Sequence, residues 1–220
     1  MSIRFTVEAN LLILIQHKPN NDKFMDHCRA VADHAAKALE YENLTPRKRL
    51  CAELAALLHD LDNKQYFPES TNNQNTRSLL RTVITIDNLD DFIEEVVALI
   101  NLMYCDNEEA SRWMYISRDC DCLETLNHRI SISKTLHGLA TERAYSVEEV
   151  SRIATPERFN NYLTTQRSNS VIDHCYDRLL HLAQPGILKS QNAYIITEAN
   201  KRVDTIKQAI VSYWLNLNKA

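Results

Sequence analysis

Eight histidines punctuate the chain, at positions 17, 27, 34, 59, 128, 137, 174 and 181. His59 stands beside Asp60 at the end of the apolar stretch AALLHDLDNK (55–64), with Asp62 two residues on. A soluble helix usually spends its last turn on lysine, arginine or glycine. Setting an imidazole and a carboxylate beside Leu57 and Leu58 is costly unless both polar groups are satisfied. Adjacent helical residues diverge by about 100° and do not normally share a target. A cation near the helix end still reaches both, neutralising Asp60 and using the imidazole lone pair of His59. Two donors do not make a site. His27 and His34 lie on one helical face but about 10 Å apart along the axis, so a single ion cannot use both. An acidic donor is available in SRDCDCLETL, from Asp119 or Asp121.

The elements that must carry these residues are helical. Apolar spacing predicts helices over roughly 4–17, 22–42, 46–60, 75–86, 90–103 and 107–127. Phe24, Cys28, Val31, Ala35, Ala38 and Leu39 form the stripe of the second. Thr45-Pro46 is a start signal, an N-cap followed by proline at the first helical position. Residues 61–74 are polar, contain Pro68, and read as a loop. Further helical patterns cover 128–139, a short stretch opened by Ser146 and Glu149, a less regular 155–166, then 168–183 and 189–216. With no internal repeat and no long linker, the expectation is one all-α domain over 1–220. Its metal-site core falls at roughly 21–130, with C-terminal helices over roughly 146–216 packed on it.

Composition agrees. Only Gly138 and Gly186 occur in 220 residues, and tight hairpins lean on glycine, so a sheet protein is not expected. The net charge of −4 offers nothing to nucleic acid or to an anionic membrane. The six cysteines contain no CxxC spacing, and the lone CxC at Cys120 and Cys122 lacks the second pair of a structural zinc site. A reduced, intracellular, cytoplasmic chain follows. The N-terminal MSIRFTVEANLLILIQHK has too short an apolar core for a membrane span and no small-residue cleavage site.

Taken in order, His27, His59-Asp60 and a distant aspartate resemble the H…HD…D signature of HD-domain metal-dependent phosphohydrolases. NDKFMDHCRAVADHA resembles that family's first ligand helix, LAALLHDLDNK its "AALLHD…D-x-K" segment, and RDCDCLETL its "DADRLDA" segment. VIDHCYDRLLHL followed by TEANKR resembles the tail of one subgroup of small hydrolases. The matches span roughly residues 21–202. The resemblance implies a helical HD bundle in which His27, His59, Asp60 and Asp121 bind the metal, Asp121 being preferred to Asp119 because Cys120-Asp121-Cys122-Leu123 aligns with A-D-x-L. Cys122 replaces the family's usual arginine. No histidine lies between Asp60 and His128, so the extra histidines of dinuclear subfamilies are missing and a single ion is expected. Asn101 and Tyr104, in INLMYCDN, stand where many relatives carry a His-Ser pair.

Two imidazoles and two carboxylates suit one divalent ion, manganese, cobalt, iron, magnesium, zinc or nickel. The resemblance then implies hydrolysis of a small phosphate ester, a nucleotide or related metabolite. Asp62 would orient water or protonate a leaving group, and Lys64 would hold phosphate. His174, Arg178 and Arg202 would line the substrate pocket. No nucleic-acid or membrane partner is expected; a homodimer is compatible with the sequence. Two other readings differ in class. One is a non-catalytic metal or nucleotide sensor. The other is a metal oxygenase on a related scaffold, which the missing histidines disfavour.

Overall fold

The computed structural model describes residues 2–64, 66–105, 107–128 and 188–202. Six α-helices come first: α1 Ile3–Ile15, α2 Asn21–Leu39, α3 Pro46–Leu58, α4 Gln74–Val83, α5 Leu89–Tyr104 and α6 Ile116–His128, with a 3-10 turn at Arg112–Tyr115 before the last. Residues 193–202 are also helical. The described protein is therefore all-α. No helix among the described residues is long and apolar enough to cross a membrane.

The chain divides into two compact units, one of Met1–Glu124 with Lys189–Ile195, the other of Thr125–Leu188 with Ile196–Ala220. The described residues fall almost entirely in the first. Within the second, Lys201 pairs with Glu198 three residues earlier.

Local chemistry sets the boundaries of the first unit. The Ser2 hydroxyl accepts from the Phe5 amide and opens α1. Thr45 does the same for α3 through the Lys48 amide, with proline at the first position. Asn20, Asn73 and Asn88, each just before a helix, hold φ between 55° and 58°, a left-handed conformation that asparagine tolerates better than most residues.

α3 is the central element and packs on α1, α2 and α5. It buries Cys51, Ala52, Leu54, Ala55, Ala56, Leu57 and Leu58. Each fully buried leucine contributes about 1.5–3 kcal/mol of transfer free energy. The facing surface of α2 buries Phe24, Cys28, Val31, Ala32, Ala35 and Ala38. Alanines on both helices keep the side-chain layer thin and let the backbones come close. α6 is tied to α3 by the buried Ser117 hydroxyl, which donates to the Ala52 carbonyl at 2.9 Å.

One expected helix is shorter than its pattern. The segment predicted helical from 107 begins regular α-structure only at Ile116. The Asn107 side chain accepts from the Glu109 amide, and the Tyr115 hydroxyl holds both the amide and the carbonyl of Asn107. These bonds compete with the helical ladder, as asparagine side chains do near turns. The helix expected from 189 starts at 193, because Lys189 and Ser190 give their amides to Asp119 and Asn192 caps the next turn. The patterns at 129–187 and 203–216 lie outside the described residues.

Candidate metal centre

α3 ends at Leu58, and His59 follows in a still-helical conformation. Its ring is buried, with the side chain 2% exposed. Nδ1 lies 2.8 Å from the Ala56 carbonyl, which can only accept, so Nδ1 carries the proton. In the neutral ring the lone pair is then on Nε2. Nε2 faces Nε2 of His27 on α2, 3.2 Å away.

Asp60 is oriented from its other side. Asn63 donates to Oδ1 at 3.1 Å, while Oδ2 lies 3.7 Å from His27 Nε2 and 3.5 Å from His59 Nε2. His27, His59 and Asp60 thus bring one ligand atom each to within 4.8 Å of one another, a group able to hold a metal ion. Asp121, from α6, sets Oδ1 3.3 Å from His27 Nε2 and 3.7 Å from His59 Nε2. Donors bonded at about 2.1 Å to one ion are separated by roughly 3.0 Å at octahedral right angles and 3.4 Å in a tetrahedron. The measured separations sit at or slightly above that spacing.

Electrostatics matches the geometry. Burial works against protonating His27, yet the hydrogen bond and charge of Asp121, with the charges of Asp60 and Glu124, outweigh it and raise its pKa. Burial likewise opposes ionisation of Asp121, but its bond to His27 and the two imidazoles hold its pKa below the usual value. The cluster thus favours positive charge between its donors.

Asp119, two residues before Asp121, has a different task. It is fully buried and accepts from the Lys189 amide at 3.2 Å, the Ser190 amide at 2.8 Å and the Ser190 hydroxyl at 2.6 Å. Asp121, not Asp119, is the aspartate of α6 set beside the two imidazoles. His34, one of the two α2 histidines, turns instead to the Tyr194 hydroxyl at 2.7 Å and to Glu124 at 3.9 Å.

Asp62 is engaged by α4. Oδ1 accepts from the Ser70 hydroxyl and the Asn75 amide, and Oδ2 from the Thr76 amide at 3.1 Å and hydroxyl at 2.7 Å. Its charge therefore meets the first-turn amides of α4, where a carboxylate is favoured. Lys64 is exposed on the same loop. Asn101 accepts from Asn73 at the start of α4.

The chain was compared with known proteins. No family model matches it. No solved structure matches it either. It is 36% identical over 215 residues to a protein of Acanthamoeba polyphaga mimivirus described as uncharacterized, covering 87% of this chain and 86% of the viral one. The chain belongs to the same family as that viral protein.

Of the residues suggested for substrate contact, His174 and Arg178 lie outside the described residues, and Arg202 belongs to the second unit. One participant at the centre was missed as such. Tyr104, the last residue of α5, donates its hydroxyl to the His59 carbonyl at 3.0 Å. The sequence singles out Tyr104 only for its place beside Asn101 in INLMYCDN, not for a bond to His59.

Proposed function

We propose that this protein is a metal-dependent phosphohydrolase, with His27, His59, Asp60 and Asp121 holding one divalent ion and a small phosphate ester, a nucleotide or related metabolite, as substrate. The observation that carries the reading is the convergence of two imidazole nitrogens and two carboxylate oxygens from α2, the end of α3 and α6. The phosphate class comes from the sequence resemblance to HD-domain hydrolases, whose ordered H…HD…D residues are the ones that converge.

Each side chain has a definite duty in this reading. Ala56 keeps the proton of His59 on Nδ1, so that Nε2 is a donor. Asn63 turns Asp60 so that Oδ2 faces the imidazoles. Asp121 balances the charge from the α6 side. A divalent ion bound there supplies positive charge to a phosphate oxygen and acidity to a water. The donor set is of mixed hardness and suits manganese, cobalt, iron, magnesium, zinc or nickel. Lys64 offers a flexible point charge to the phosphate. Asp62 holds the loop that carries Lys64. The resemblance adds His174, Arg178 and Arg202 as substrate contacts. Cys28, Cys51, Cys105 and Cys122 are thiols, in keeping with a reducing, intracellular setting.

The test is a screen of phosphorylated metabolites with Mn²⁺ or Co²⁺. Phosphate release that His59→Ala and Asp60→Ala both abolish supports the reading. Bound metal without turnover on any substrate points instead to a sensor, and oxygen uptake without phosphate release to an oxygenase.

A further inference from the structure

Adjacent residues rarely serve one ion, because their side chains diverge by about 100° on a helix. His59 and Asp60 nevertheless both aim at the His27 nitrogen. The peptide that joins them must therefore be held in one orientation. Its carbonyl is that of His59, which lies just past the end of α3, where carbonyls have lost their helical partners. Tyr104 supplies the missing donor at 3.0 Å.

We infer that Tyr104 is a positioning residue of the candidate metal centre, fixing the peptide between His59 and Asp60 so that both side chains face the ion. The inference rests on the metal reading above. The residue as a whole is 65% exposed. Removing the hydroxyl alone thus disturbs little core packing, and the loss is felt at the turn.

The experiment compares metal-free wild type with Tyr104→Phe, each titrated with Co²⁺ by calorimetry and by visible absorption, alongside thermal melts without metal. Wild type is expected to take up one Co²⁺. The phenylalanine variant should bind it about ten-fold or more weaker, as when outer partners of metal ligands are lost. Its Co²⁺ bands should shift, while its metal-free melting temperature stays near that of wild type. Equal affinity and identical bands in the variant would overturn the inference and leave the metal reading standing, whatever the melts show. A wild type that takes up no Co²⁺ would overturn both.

Discussion

The Nε2 atoms of His27 and His59 lie 3.2 Å apart although the residues are separated by 32 positions. With Nδ1 of His59 committed to a carbonyl, its lone pair faces the other ring. Two imidazole nitrogens this close, with the Asp60 carboxylate beside them, form a group that could hold a metal ion.

Purified protein should therefore contain about one divalent ion per chain by elemental analysis. A chelator should lower the melting temperature, since an ion present at 100 times its dissociation constant stabilises the folded state by about 2.7 kcal/mol. His27→Ala and Asp60→Ala should each remove both the ion and its contribution to the melt.

The two aspartates of α6 should separate cleanly. Asp121→Asn should weaken metal uptake while leaving the urea midpoint of the metal-free protein little changed. Asp119→Asn should do the reverse. It turns one of the two accepting oxygens into a donor facing the Lys189 or Ser190 amide, and a buried mismatch of that kind costs about 1–3 kcal/mol. Metal titration and urea unfolding of both variants decide it.

Asp62→Ala should cost about 0.5–2 kcal/mol in urea unfolding, as the loss of a helix cap does. Exchange protection at the Asn75 and Thr76 amides should fall with it. If Asp62 mainly holds the loop, phosphate release per folded molecule should persist in the variant.

Glu53 gives a pH signature. Burial raises its pKa from the ordinary 4.5, only partly offset by Arg4 and Arg49. A carboxyl whose folded pKa is raised stabilises the fold below its unfolded value, and that contribution is lost as pH rises through the folded value. At neutral pH the ionised group is a burden. Glu53→Gln should therefore raise the melting temperature at pH 7, and the gain should vanish below about pH 4.5.

Thiol labelling should follow burial. Cys105 is exposed and should react first with iodoacetamide. Burial pushes the Cys51 and Cys122 thiols up to about 12, and the buried Cys28 thiol well above its usual value. Peptide mapping should find these three modified only after unfolding.

Much of this protein was legible before its coordinates. Helical periodicity, the Thr45-Pro46 start and the shortage of glycine determine an all-α fold, because such signals act within a few residues along the chain. The histidine beside an aspartate at the end of an apolar helix marked a polar site by its local cost alone. Tertiary structure decided the rest, because distance in space is not encoded by spacing in sequence. It set Asp121 against the imidazoles and Asp119 against Ser190, though the two aspartates sit two positions apart in nearly identical surroundings. It gave both oxygens of Asp62 to α4, broke the helix expected from 107 through Tyr115, and brought Tyr104 to the carbonyl of His59 from 45 residues away. Those outcomes depend on which backbone groups a packed helix end leaves without partners, and only the fold determines that.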